Sequence, residues 1–243
     1  MRHTLLVATG NKGKLAEFRS LLADLDVEVL GPDDVFKAPP SVIEDGVTFV
    51  ANATKKARAY ARASLMMSLA DDSGLEVDAL GGSPGVRSAR YAHERATDAE
   101  NRAALSSALE ELDNTDAISI RNVGAADFAA KSGSIFIARF RCALVLVDPF
   151  APDAAPDAAL DGGLERFAEG TCEGSVVRNA RGSGGFGYDS LFLVKDTDRT
   201  MAELGTDEKN RVSHRGRALA AIKPHIHDAL VARRNRIAAI FPR

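Results

Sequence analysis

Thr4-Leu5-Leu6-Val7-Ala8-Thr9-Gly10-Asn11-Lys12-Gly13-Lys14-Leu15 joins two different periodicities through a glycine-bearing turn. The apolar run 4–8 reads as a strand, and Thr9 to Gly13 reads as the turn. Leu15, Phe18, Leu21 and Leu22 then recur at helical spacing and predict a helix over 14–22. A strand that feeds a helix through a short turn is the opening unit of an α/β domain.

The rest of the chain extends this pattern. A second strand is expected over 27–30, and the region of Pro32, Pro39 and Pro40 is expected to be loop because proline punctuates regular structure. The Ala-rich stretch 48–64 carries Phe49, Ala53, Lys56, Ala57 and Tyr60 at helical period and predicts a long helix. Leu69-Ala70 leads into Asp71-Asp72-Ser73-Gly74, after which Leu75, Val77 and Ala79 alternate as in a short strand. Thr97 and Glu100 have capping-box spacing ahead of a helix over 99–112. Strands are expected over 135–147, 173–178 and 190–194, and 213–240 reads as helix interrupted at Pro224 by a kink or a break. The unequal spacing of strands and helices predicts a mixed sheet rather than a strict βαβ series.

Composition excludes several classes. With 243 residues, 45% hydrophobic and 27% charged, the chain suffices for one large domain or two small lobes. A formal net charge of -3 supplies no global positive field for nucleic acid or an anionic membrane, so a polyanionic ligand must be met locally. Cys142 and Cys172 stand far apart and outside C-x-x-C spacing, which predicts buried thiols rather than a zinc site or a disulfide. No apolar run is long enough for a signal sequence or membrane span, and a cytoplasmic location is expected.

Four segments carry chemistry. In the first, Thr9-Gly10-Asn11-Lys12-Gly13-Lys14, a glycine turn opening a helix presents unpaired amides to an anion, and Lys12 and Lys14 add charge. It is not a Walker A, since the glycine spacing differs and Leu15 stands at the hydroxyl position; an ordinary tight turn is the competing account. In the second, Asp71-Asp72-Ser73-Gly74 and Glu44-Asp45-Gly46 offer the carboxylate oxygens a Mg²⁺ ion prefers, against a solvated Asx-turn. In the third, Gly182-Ser183-Gly184-Gly185-Phe186-Gly187-Tyr188-Asp189 matches G-x-G-x-x-G but runs into a strand, which excludes the dinucleotide fingerprint. It reads as a loop offering Phe186 or Tyr188 for stacking, or as a plain glycine-rich turn. In the fourth, Lys209, His214 and Arg215 are expected to cluster at the N-terminal end of a helix capped by Ser213, where cations oppose the macrodipole and an anion or carbonyl-rich ligand fits. A solvated basic face is the alternative.

Taken in order, these segments resemble the inosine/xanthosine triphosphate pyrophosphatase family, together with Pro84-Gly85-Val86-Arg87-Ser88-Ala89-Arg90-Tyr91 after the acids. Any one is weak; four in order across nearly the whole chain are specific. The resemblance implies an α/β fold, a two-lobed mixed sheet flanked by helices with a central substrate cleft, formed as a single domain over 1–243. It also implies a homodimer, Mg²⁺, and hydrolysis of deaminated purine triphosphates, such as those of inosine, deoxyinosine and xanthosine, between the α- and β-phosphates. By position, Thr9, Gly10, Asn11, Lys12, Gly13 and Lys14 match the triphosphate loop. Glu44 and Asp72 match the metal acids, Asp72 also the general base, and Lys56 and Ser73 substrate contacts, with Lys14 and Lys56 neutralising charge. Phe186, Gly187, Tyr188, Asp189, Lys209, His214 and Arg215 match the base-recognition residues.

The chain departs from the family pattern at Ala51, where Thr48-Phe49-Val50-Ala51-Asn52-Ala53 lacks a common acid, and at 114–134 and 148–161, which read as insertions. Rival readings are a pyrophosphatase for modified pyrimidine triphosphates, a nucleotide sensor without turnover, and a nucleic-acid module resting only on Arg233-Arg234-Asn235-Arg236, against which the acidic balance speaks.

Overall fold

The computed structural model describes residues 3–114, 135–151 and 164–240. In chain order the elements are β1 (His3–Val7), α1 (Lys12–Leu21), β2 (Val27–Leu30), α2 (Pro32–Val35), α3 (Phe49–Ser64), β3 (Ser68–Val77), α4 (Asp98–Asn114), β4 (Phe136–Asp148), β5 (Leu164–Val176), β6 (Phe192–Val194), α5 (Thr206–Val212) and α6 (His214–Ile240). The six strands follow the order β2-β1-β3-β4-β5-β6. β1 runs parallel to β2 and β3, and β5 antiparallel to β6, so the α/β class and the mixed sheet are as expected. No helix among the described residues is long and apolar enough to cross a membrane.

The chain divides into two compact units, the first of Met1–Asp72, Ala143–Gly170 and Gly216–Arg243, the second of Ser73–Cys142 and Thr171–Arg215. The core of the first packs Leu6, Ala8, Ala53, Ala57, Tyr60, Ala70, Val145 and Val147. Two of these, Ala53 and Ala57, are α3 alanines, and small side chains let a helix lie close to a sheet. The core of the second is richer in large side chains: Leu75, Leu105, Phe136, Phe140, Tyr188, Phe192 and Met201, with Tyr91 packed against them. β4 shows both regimes. Its first six residues alternate buried and partly exposed, and its last seven are all buried, as in a strand covered on both faces. Cys142 and Cys172 are buried thiols.

The helix starts have clear causes. Thr48 accepts the Ala51 amide at 3.1 Å and caps α3. Ahead of α4, Thr97 N–H donates to Glu100 at 2.7 Å while the Glu100 amide donates to Thr97 Oγ1 at 3.3 Å, the expected capping box.

Four expectations need correction. The proline region is not all loop: Pro32 opens the single-turn helix α2, because a residue without an N–H costs nothing at the first helical position. The helix is not broken at Pro224: α6 continues through it; Ile222 and Ile226 on either side are fully buried, and Lys223 ties to Leu21 O at 3.3 Å and to Asp24, so packing outweighs the lost backbone bond. The strand expected over 190–194 is only Phe192–Val194, while the one expected over 173–178 begins earlier, at Leu164. The insertions expected over 114–134 and 148–161 lie for the most part outside the described residues.

Candidate functional site

In the first unit, β1 ends at Val7 and the chain turns on its own side chains. Thr9 Oγ1 accepts the Asn11 amide at 3.2 Å, and Asn11 Oδ1 accepts the Lys14 amide at 3.0 Å. Asn11 is therefore the N-cap, and α1 begins at Lys12 rather than Lys14. Lys12, Gly13 and Lys14 form the first helical turn instead of preceding it, with the amide-rich end of the helix beside Thr9 and Gly10. Lys12 is exposed, whereas Lys14 turns inward, its Nζ 2.8 Å from the buried carboxylate of Asp71.

The paired acids are not in a terminal turn. Asp71, Asp72, Ser73 and Gly74 lie within β3, and both aspartates are buried. Asp72 Oδ2 accepts from Asn52 Nδ2 at 3.0 Å, and Asp72 Oδ1 lies 3.9 Å from Lys56 Nζ, which donates to Glu44 Oε2 at 2.9 Å. One ammonium thus adjoins both proposed metal acids. Burial alone would lower the pKa of Lys56, but Asp71, Asp72 and Glu44 outweigh it and hold it above the ordinary lysine value. Burial raises the Asp72 carboxyl above the usual aspartate range, against Lys56, the Asn52 hydrogen bond and Lys14, with Glu44 adding to the rise.

Asn52 is the residue that sequence reasoning missed. It is fully buried in α3, and besides holding Asp72 its Oδ1 accepts the Gly46 amide at 2.7 Å. It therefore fixes the irregular segment carrying Glu44 relative to Asp72. A signal was present, since asparagine is a weak helix former within an Ala-rich helix. Ala51, beside it, puts only a methyl in the first turn of α3.

The donor set fits Mg²⁺ in its substrate-dependent form. Glu44 and Asp72 are hard oxygen donors on one shared cation, and two carboxylates completed by phosphate and water suffice for this ion. An all-protein cage is not what these side chains build: no group of three or more His, Cys, Asp or Glu able to hold a metal occurs among the described residues.

In the second unit, Phe186, Asp189, Lys209, Arg215 and Ser73 come together. Lys209 Nζ lies 4.9 Å from the Phe186 ring centre and the Arg215 guanidinium carbon 5.7 Å from it, both within cation–π range. Lys209 donates to Asp189 Oδ2 at 2.8 Å, the oxygen that also accepts the Phe186 amide at 3.0 Å. Arg215 Nη2 donates to Ser73 Oγ at 3.0 Å. His214 stacks on Phe140, with centroids 4.8 Å apart and planes 18° apart. Gly185 sits at φ +72°, and a Cβ there would collide with Asp189 Oδ2 and lie 3.0 Å from Lys209 Nζ, so only glycine leaves this ion pair its room.

Two expectations change here. Tyr188 is not a stacking surface: it is buried, and its hydroxyl donates to Ser88 O at 2.9 Å, so stacking falls to Phe186 alone. Lys209 does not crowd the start of the long helix. It lies in the last turn of α5, a helix the sequence reading missed, where a cation is favoured by the dipole. Ser213 is extended between α5 and α6, in the N-cap position expected of it.

The chain is similar to known proteins over most of its length. A dITP/XTP pyrophosphatase of Geobacter sulfurreducens is 43% identical over 223 residues, covering 91% of this chain and 96% of that protein. One of Geobacillus kaustophilus is 42% identical over 218 residues, covering 90% and 91%. Among solved structures, a HAM1 protein from Coxiella burnetii superposes with a TM-score of 0.72 at 35% identity, covering 93% of this chain and all of that one. The sequence model of the Ham1 family matches residues 5–225, and with that match across most of its length the chain belongs to the Ham1 family.

Proposed function

We propose that the chain is a nucleoside triphosphate pyrophosphatase that hydrolyses inosine, deoxyinosine and xanthosine triphosphates to the monophosphate and pyrophosphate, clearing deaminated purines from the nucleotide pool. The names of its relatives support the substrate class, and the observation that carries the chemistry is Lys56 placed against both Glu44 and Asp72. The phosphate chain is assigned to the Thr9–Lys14 turn, Lys14 and Lys56, where amides and ammonium groups neutralise a polyanion before water approaches the α-phosphorus. Asp72, with its raised pKa, accepts a proton from that water as the α–β anhydride bond breaks. Glu44 and Asp72 would hold Mg²⁺, which when bound supplies Lewis-acid charge to the phosphate oxygens. Homodimer formation and a cytoplasmic location belong to the same reading.

The base is assigned to Phe186, which stacks without choosing among purines, and to donors from Lys209, His214 and Arg215. Hypoxanthine and xanthine present a carbonyl acceptor at position 6, where adenine presents an amino donor. A buried donor facing that amino group loses its partner, a mismatch that discriminates by up to about 10⁴ to 10⁵. In a panel of inosine, deoxyinosine, xanthosine, adenosine and uridine triphosphates, pyrophosphate release is expected from the first three, with kcat/KM at least about a hundredfold above adenosine triphosphate. Chelating the metal is expected to lower the rate by at least about a hundredfold. Stepwise orthophosphate release, or preference for uridine triphosphate, would overturn the assignment.

A second reading has one observation in its favour. Ala51, in the first turn of α3 beside Asn52, puts a methyl where the family pattern carries a common acid, so a nucleotide sensor is the alternative. It predicts triphosphate binding with no product after prolonged incubation with Mg²⁺.

A further inference from the structure

Gly187 follows the stacking residue Phe186, and both of its backbone polar groups are held by one helix. Its N–H donates to Asp98 Oδ2 at 2.7 Å, and its carbonyl accepts from Arg102 Nη1 at 2.7 Å. Asp98 and Arg102 are four residues apart and so share one face of α4. Each bond has a charged partner, which makes it shorter and stronger than a neutral one. The two bonds grip the peptides on either side of the Gly187 Cα.

The helix making this grip is itself fixed. The Thr97–Glu100 capping box sets its first turn, and Asp98 within that turn suits the helix dipole. Asn101, on the same stretch, donates to Ala89 O at 3.0 Å and accepts the Ala92 amide at 3.0 Å. Gly187 has φ +58° and open space where a Cβ would stand. The Asp189 amide donates to Phe186 O at 3.2 Å and closes the turn around it, and the two charged partners on α4 add to that local bond, since glycine reaches many other conformations at little cost.

We propose that Asp98 and Arg102 are positioning residues for base recognition, acting through Gly187 to hold the Phe186 ring where Lys209 and Arg215 meet it. This inference rests on the base-binding role given to Phe186 above. The fixed peptides on one side and the Phe186 N–H bond to Asp189 on the other leave the backbone that carries the ring little freedom, so binding a purine requires less further ordering of the loop.

The test uses full-length Asp98→Ala and Arg102→Met, alone and combined with Phe186→Ala. Asp98 is exposed and Arg102 partly buried, and a thermal unfolding midpoint near wild type will verify that both single variants fold. KM for inosine triphosphate is expected to rise about tenfold in each with kcat changed by less than about twofold, the size of a lost charge-assisted hydrogen bond. In the Phe186→Ala background the same changes are expected to add almost nothing, because residues acting through one ring are not additive. Amide exchange provides a readout independent of turnover: the Gly187 amide is expected to exchange slowly in wild type and faster in Asp98→Ala. Unchanged KM, or full additivity with Phe186→Ala, would overturn the inference. An unchanged Gly187 exchange rate would do so even if wild type released no pyrophosphate, whereas such inactivity with faster exchange would refute the proposed function and leave the grip on the loop standing.

Discussion

Replacing Asp72 by asparagine is expected to reduce pyrophosphate release by about 10² to 10⁴-fold, the range supplied by a positioned proton acceptor, while leaving the chain folded. Asparagine keeps the shape and an acceptor for the Asn52 amide, but it cannot take a proton. The same change is expected to stabilise the metal-free protein at neutral pH. Burial holds the Asp72 carboxyl above the usual range, so the folded chain binds a proton there more readily than the unfolded chain does. A group of that kind favours folding fully below its unfolded pKa, and the contribution is lost as pH rises through the folded value. The asparagine variant mimics the protonated form at every pH. Its thermal midpoint should exceed that of wild type at pH 7 and converge with it at about pH 3. Wild-type turnover, or a lower midpoint at neutral pH with metal chelated, would contradict the role given to this carboxylate.

Lys56→Met is expected to produce a loss of both stability and activity. The ammonium is the cation that Glu44 and Asp72 share, and removing one member of a buried ion cluster typically costs about 3–5 kcal/mol. Urea unfolding of the metal-free variant measures this, and the deficit should shrink in acid, where the carboxyls protonate. Lys56→Arg should recover part of the stability, since it keeps the charge but replaces a compact ammonium with a planar fork. Turnover should fall at least about a hundredfold in the methionine variant, as charge on the phosphates goes uncompensated. A methionine variant as stable as wild type would show that the cluster is not a coupled unit.

Legibility from sequence varied with the range of the deciding interactions. The β1 to α1 unit, the length of α3 and the capping box at Thr97 were readable because local periodicity and cap chemistry set them. The setting of Asp71 to Gly74 was not. Two acids followed by Ser-Gly are turn chemistry on local grounds, and only β3's place between β1 and β4 makes them strand, a tertiary override of propensity. The short α5 escaped because seven largely polar residues carry no hydrophobic period, and its N-cap, Gly205, makes no side-chain cap bond. Most of the site residues could be nominated from glycine, lysine and acid patterns. Their pairing could not: Lys209 over Phe186 and Arg102 on Gly187 join positions far apart in the chain, and nothing in the intervening sequence announces them.

The burial of the aromatic hydroxyls has an optical corollary. The chain has three tyrosines and no tryptophan, and burial raises the pKa of Tyr60, Tyr91 and Tyr188 alike. Tyr60 belongs to the first compact unit and the other two to the second, so each unit carries its own chromophore. Alkali that would ionise an ordinary phenol finds these three reluctant, and the ultraviolet signature of phenolate becomes a record of the fold giving way.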